Sequence, residues 1–258
     1  MLMTAPVRNG VLVLMRKIVL LLTATVNVAD VVRSERRNRE LRLHDYCLAL
    51  DHWLSVKTID RVIFCENSGV ERASILPPAK DPELAARLEF LSYVEKSSPP
   101  TRGKAYGELR ILQHAIGHSQ LLQPDDILFK VTGRYFVKNA EALLRQVEAL
   151  KDVDIVCDLQ QDLTFADARA FFASVRFVES HLLPLIEQAD DFTGRHMEYV
   201  LAKAVHSAMA QGCIWHLPCE ALDVVGYSGT FGFKLKRSLV RRQVKSLMFG
   251  TKRWLLER

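Results

Sequence analysis

The sequence has no CxxC pair, no zinc signature, no internal repeat and no apolar run long enough to cross a bilayer. Its five cysteines, Cys47, Cys65, Cys157, Cys213 and Cys219, are odd in number, and Cys65 and Cys157 sit inside apolar runs. Both features argue against a disulfide framework and for a reducing compartment. Cys213, His216 and Cys219 are spaced three apart, but no fourth ligand stands near them, which argues against zinc. The N-terminal VLVLMRKIVLLLTATV is interrupted by Arg16 and Lys17, and neither apolar half approaches the roughly 20 residues of a spanning helix. No convincing small-residue cleavage site follows it, so the stretch is not a signal peptide, and Ile18 to Val26 reads as a buried first strand. Ser228 lies in GYSGT, which lacks the spacing of Gly-x-Ser-x-Gly and the context of a nucleophile elbow, and this argues against a serine hydrolase.

What is present is ordinary globular material. Of 258 residues, 49% are hydrophobic and 25% charged, enough for one large α/β domain with a small appendage. The net charge of +5 is unevenly placed. From Lys234 onward there are nine Lys or Arg and one Glu, a local +8, so residues 1–233 sum to −3. The division is therefore a body over 1–233 and a basic tail over 234–258. A nucleic-acid-binding protein acting through that tail is one reading. The acidic body, without an aromatic-rich basic sheet face, speaks against it and against a nucleic-acid partner.

Along the body, strand and helix patterns alternate. Strands are expected over 18–25, 60–65 (DRVIFC), 88–93 (LEFLSY), 126–131 and 153–158 (VDIVCD). Helices are expected over 33–55, 83–86, 108–119, 140–150 and 196–211, while 165–181 follows no clean period. Alternation at this spacing predicts a mostly parallel sheet with helices on both faces, a Rossmann-type α/β fold. Runs such as VIFC and DILFKV do not alternate, which fits strands buried on both sides.

In such a sheet the C-terminal strand ends share one edge, and ligands bind there. Four segments fall at that edge. They are Thr23, Thr25 and Asn27 after the first strand; Glu66, Asn67 and Ser68 after the second; GKAYGE with Gly103, Lys104 and Gly107 ahead of a helix; and Lys130-Val131-Thr132-Gly133-Arg134 after the fourth. Asn67, Ser68 and Glu66 can hydrogen-bond a base or ribose. The glycines admit close backbone approach at a helix N-terminus that favours anions.

The ordered set VLLLTATVNV, RVIFCENSG, GKAYGE, ILFKVTGRYFVKN, DIVCDL, DARAFFAS, HMEYVLA and GYSGTFG resembles a family of bacterial surface-polysaccharide glycosyltransferases with a GT-A-like fold, over residues 18–232. The resemblance implies a nucleotide-sugar donor, a glycan or lipid-linked acceptor, and a place at the inner, cytoplasmic face of the membrane. An oligomer is compatible with it. A nucleotidyl-transferring enzyme using the same crevice is the alternative.

One departure matters. The wider GT-A pattern places Asp-x-Asp at the end of the fourth strand to hold a divalent ion on the donor diphosphate. Here Lys130 and Arg134 stand there, and the expectation is that they hold the diphosphate without a metal cofactor. The competing reading keeps Mg or Mn through Asp158, with Asp162 or Asp167. An inverting transfer needs a carboxylate to take the acceptor's proton, and the candidates are Glu198, Asp167 and Asp158. The tail carries Leu239, Val240, Val244, Leu247, Met248, Trp254 and Leu255 at helical spacing among basic residues, with Gly250 as an expected break or kink. Such a helix can lie on an anionic membrane, or its stripe can pack on the body or a second subunit.

Overall fold

The computed structural model describes residues 16–28, 37–76, 86–95, 102–160, 162–228, 232–235 and 239–256. The first strand, β1 (Ile18–Ala24), is buried along nearly its whole length on both faces, as its unbroken apolar run requires. Helix α1 (Arg39–Ser55) starts where the Asn38 side chain accepts a hydrogen bond from Leu41 N, 2.9 Å away. Then come β2 (Arg61–Glu66), β3 (Leu88–Ser92), α2 (Lys104–His118), β4 (Ile127–Thr132), the short β5 (Tyr135–Val137) and α3 (Ala140–Ala149). The second half holds β6 (Ile155–Val156), a hairpin of β7 (Leu159–Gln160) and β8 (Phe165–Ala166), then β9 (Ala170–Ser174) and helical turns from Val175 to Gln188. It closes with α4 (Met197–Ala210), β10 (Trp215–His216), β11 (Val224–Tyr227), β12 (Lys234–Leu235) and α5 (Leu239–Leu256).

Seven strands form the central sheet in the order β10-β6-β9-β4-β1-β2-β3. All neighbours are parallel except β9, which runs antiparallel to both β4 and β6. The α/β class, mostly parallel with helices on both faces, is therefore as expected. Leu20, Leu22, Phe129 and Val131 point to one face, packed against α1 and α3. Val19, Leu21 and Leu128 point to the other, under α2 and α4. By the period of two along β4, Lys130 follows Leu128 onto the α2/α4 face. The register aligns Thr23 with Cys65 of β2 and with Thr132 of β4, so three C-terminal strand ends finish level at one edge.

Several boundaries differ from expectation. Helix α2 begins at Lys104 rather than Glu108, so most of GKAYGE is helix and not loop. The predicted strand over 153–158 keeps only Ile155–Val156. The unassigned stretch supplies β9, whose AFFAS is a short run buried on both faces and too brief to show a period. The short helix expected over 83–86 lies outside the described residues but for Ala86. Helix α5 runs through Gly250 without a break.

Candidate active site at the sheet edge

The four predicted segments converge, and a continuous set of hydrogen bonds joins them. Asn27 N donates to Ser68 Oγ at 3.0 Å, and Thr25 Oγ1 donates to Asn67 Oδ1 at 2.7 Å. Asn67 also lies beside α2: a Cβ built on Gly107 would stand 3.8 Å from its Nδ2. Gly133 N donates to Thr23 O at 2.8 Å, which ties the β4–β5 turn to β1. A Cβ on Gly133 would come 2.8 Å from that same carbonyl, so the close approach needs glycine.

At the centre lies a residue the sequence reading did not single out, Glu108. Its Oε1 accepts from Thr23 Oγ1 at 3.1 Å and Thr132 Oγ1 at 3.3 Å, and it forms an ion pair with Lys130 Nζ. Lys130 is fully buried. Its ammonium also donates to Ala168 O at 2.7 Å and lies 5.6 Å from the centre of the Phe171 ring. Lys130 was expected at the diphosphate; its donors are instead spent inside the protein, on Glu108, Thr132 and the Ala168 carbonyl. A buried lysine needs such pairing and hydrogen bonding to offset its desolvation.

Arg134 sits differently. It is half-buried, donates from Nε to Tyr227 O at 3.1 Å, and lies 5.0 Å from the centre of the Tyr135 ring. Glu108 and Tyr46 both act on its charge, so it belongs to the same end of the sheet. Two further cations line the β1 side. Arg42 Nε donates to Thr25 O at 2.9 Å and its Nη2 to Tyr46 Oη at 3.0 Å, while Arg39 Nε donates to Asn27 Oδ1 at 3.1 Å. The i, i+4 pair Arg42 and Tyr46, on the helix that follows β1, is a sequence feature that could have marked this corner but was not singled out.

Two expected ligand groups are turned inward. Glu66 is fully buried, and its carboxylate accepts from Val26 N, Ser68 N and Val70 N at 3.2, 2.8 and 3.0 Å. It braces the β1 and β2 loops. The N-terminus of α2, expected to draw an anionic ligand, is capped from within the chain. Asp191 Oδ2 accepts from Lys104 N at 2.5 Å and Ala105 N at 3.4 Å. Gly103 has φ +81°, and a Cβ there would stand 2.5 Å from the Asp191 carboxylate.

The three candidate carboxylates have separate fates. Asp167 is held by Arg169, whose Nε donates to Oδ1 at 2.8 Å and whose Nη2 bridges to Oδ2. Asp158 is almost fully buried; Lys252 of α5 donates to Oδ1 at 2.8 Å and Gln160 to Oδ2 at 2.5 Å. This set does not fit a divalent cation, because Asp158 and Asp167 already hold basic side chains and Asp162 is exposed. Among the described residues no group of three His, Cys, Asp or Glu is arranged to hold a metal. Cys213, His216 and Cys219 face separate partners: His181 Nε2 at 3.4 Å, Asp152 O at 3.0 Å and Ala142 O at 3.5 Å.

Glu198 lies in the first turn of α4. Burial pushes its pKa up, and the neighbouring charges of Glu108 and Asp167 add to this, while its own backbone N–H and Lys130 pull the other way. A carboxyl held above its usual range by burial, within the field of a buried cation and two other carboxylates, is suited to exchanging a proton.

No family model matches the chain, and no curated protein matches it. Among solved structures it is similar to 4-diphosphocytidyl-2C-methyl-D-erythritol synthase from Anaerococcus prevotii, at 9% identity and TM-score 0.42, covering 91% of this chain and 99% of that one. A putative glucose-1-phosphate thymidylyltransferase from Bacillus anthracis gives 8% identity and TM-score 0.47, covering 90% and 95%. The galactosyltransferase LgtC gives 10% identity and TM-score 0.43, covering 70% and 68%. Identities and scores of this size leave the reading of the site to its own residues.

Proposed function

We propose that this protein is a glycosyltransferase that moves a sugar from a nucleotide-sugar donor to a glycan or lipid-linked acceptor. The observation that carries the reading is Glu198, a carboxyl raised by burial and acted on by Glu108 and Lys130, with Glu108 itself hydrogen-bonded to Thr23 and Thr132 where β1 and β4 end. The donor's nucleoside lies along Thr25, Asn27, Asn67 and Ser68, and its diphosphate faces Arg134. Glu198 takes the proton of the acceptor hydroxyl as that oxygen bonds to the anomeric carbon. The bond from that carbon to the diphosphate breaks, and the nucleoside diphosphate leaves with the electron pair. Lys130 orders the site from below by fixing Glu108 and the Ala168 turn, rather than by touching phosphate. No metal is assigned a step.

No described helix is long and apolar enough to cross a membrane. In this reading a lipid-linked acceptor is met at an anionic membrane surface, with α5 as the peripheral contact.

The deciding experiment incubates the protein with nucleotide sugars and simple acceptors and identifies the released group. Release of nucleoside diphosphate supports sugar transfer. Release of pyrophosphate from a nucleoside triphosphate and a sugar phosphate would replace it with nucleotidyl transfer in the same crevice. Neither product, across all common nucleotides, would overturn both.

A further inference from the structure

Next to Glu198 in sequence, the chain builds an aromatic ledge between α4 and β8. Tyr199, the next residue of α4, is 39% exposed. Its ring meets Phe165 of β8 edge-on, at 5.4 Å between centres and 88° between planes. His196, the residue that precedes α4, stands 6.2 Å from the same ring. Phe165 is half-buried. By the period of two along a strand, it shares its side of the chain with Asp167, which acts on Glu198. One ring therefore follows the candidate base in α4, and the other lies two residues before Asp167, on the strand that leads into it.

A second, independent feature holds the ledge in place. The turn joining β7 to β8 puts Asp162 at φ 57° and Leu163 at φ 67°. Left-handed backbone is uncommon for an aspartate and an outlier for a leucine, and it persists only where the surroundings impose it. Here His206 of α4 supplies the restraint: its Nε2 lies 2.8 Å from Leu163 O. Tyr199 and His206 are seven residues apart, two turns along one face of α4. The same helix face thus pins the strained hairpin tip and receives Phe165. Among the described residues the Tyr199 hydroxyl makes no hydrogen bond, which leaves it able to donate to a ligand.

Resting on the transferase reading above, we infer that Phe165 and Tyr199 form the acceptor subsite, and that its ligand is the ring of a pyranose sugar. The C–H bonds on one face of a pyranose are weakly positive and match the negative face of an aromatic ring. The equatorial hydroxyls around that ring then reach the Tyr199 hydroxyl, and an acceptor hydroxyl is turned to Glu198. A lipid tail would use the apolar ledge but not the Tyr199 hydroxyl.

The test uses the full chain and saturation-transfer NMR with methyl glucoside, methyl galactoside and methyl mannoside at millimolar concentration. The expected result is transfer to the C–H protons of one ring face of at least one glycoside. Tyr199→Ala and Phe165→Ala should reduce it about three- to tenfold, and Tyr199→Phe should retain most of it. Binding of nucleoside diphosphates to Tyr199→Ala, followed separately, checks that fold and donor crevice survive. No transfer from the wild type to any of the three, or equal transfer from the wild type and Tyr199→Ala, would overturn the subsite. Sugar binding without any nucleotide binding would keep the subsite and sink the transferase reading instead.

Discussion

Lys130 and Glu108 form an ion pair in which the lysine side chain is fully buried and the carboxylate is 21% exposed. The pair joins β4 to α2 just below the edge where the strands end. Removing one member strands the other. Lys130→Met should cost about 3–5 kcal/mol of stability in urea unfolding, the range seen when a buried pair loses one partner. In Lys130→Met with Glu108→Gln, the Thr23 and Thr132 hydroxyls keep an acceptor and no unpaired charge remains. The double variant should therefore be more stable than Lys130→Met alone, by about 1 kcal/mol or more. Strict additivity of the two changes would show that the charges are not coupled.

Glu198 gives a pH signature with a definite sign. Its carboxyl is raised by burial and by Glu108 and Asp167. The folded state therefore holds the proton more tightly than the unfolded chain. As pH rises from the ordinary glutamate range through the raised value, stability is lost. Glu198→Gln should remove that fall and be the more stable protein at neutral pH. If Glu198 is the base, the same substitution lowers turnover by about 10²- to 10⁴-fold. The wild type's acid limb should also lie above the usual glutamate range. Unchanged turnover in Glu198→Gln would pass the role to Asp167.

Asp191 occupies the anion site that the helix N-terminus of α2 would otherwise offer. Asp191→Ala should cost about 0.5–2 kcal/mol, the usual range for a lost cap. It should also open that N-terminus, so added sulfate should raise the melting temperature of the variant more than that of the wild type. An equal response to sulfate in both would mean that water fills the place of the carboxylate.

The central strands were legible because their burial on both faces leaves a short apolar run with no alternation, as in LLL of β1 and VIFC of β2. The convergence of Thr25, Asn27, Asn67, Ser68 and Gly133 followed from the rule that parallel strands end together. What stayed hidden depended on contacts between distant segments. Nothing local marks Asp191 as the cap of a helix that begins 87 positions earlier. Nor does a lysine at the end of a strand announce that it pairs inward. Lys130 was assigned to the ligand because it follows an apolar run; the alternation that carries Leu128 to the α2 face carries Lys130 there too. Glu66, also assigned to a ligand, instead accepts from three backbone donors in the loops that follow β1 and β2, contacts that its own segment does not show. β9 was missed because AFFAS is five residues without a period.

With Lys130 sequestered, the phosphate reading leans on Arg134. Arg134→Ala should weaken nucleoside diphosphate binding by about 1.5–3 kcal/mol, the scale of a hydrogen bond to a charged group. Arg134→Lys should recover little, because a point charge cannot reproduce the planar fork. Turnover should survive EDTA, since a divalent ion at Asp158 would have to displace Lys252. Loss of turnover in EDTA with recovery in magnesium or manganese would return Asp158 to the role of ligand.

The tail divides its surface between the body and the outside. Phe249 is buried and Lys252 is paired with Asp158, three residues apart on one side of α5. Val244, Leu247, Met248, Trp254 and Leu255 remain 51–74% exposed. By the helical period these five fall on one stripe, turned away from the Phe249 and Lys252 side. The helix carries five Lys or Arg and no acidic residue. An apolar stripe on a basic helix suits the interface of an anionic membrane, where each cation adds about 1 kcal/mol near the surface. Truncation after Phe233 is a poor test, because it also strips Lys252 from a buried aspartate. Leu247→Glu with Met248→Glu changes exposed positions alone, and stability should stay within about 0.5 kcal/mol of the wild type. The wild type should sediment with vesicles rich in phosphatidylglycerol, less so as salt rises and screens the charge term. The double variant should stay in solution at every salt concentration. Equal sedimentation of the two would refute membrane contact through this stripe. A wild-type dimer that becomes a monomer in the double variant, with no vesicle binding by either, would assign the stripe to a second copy of the chain.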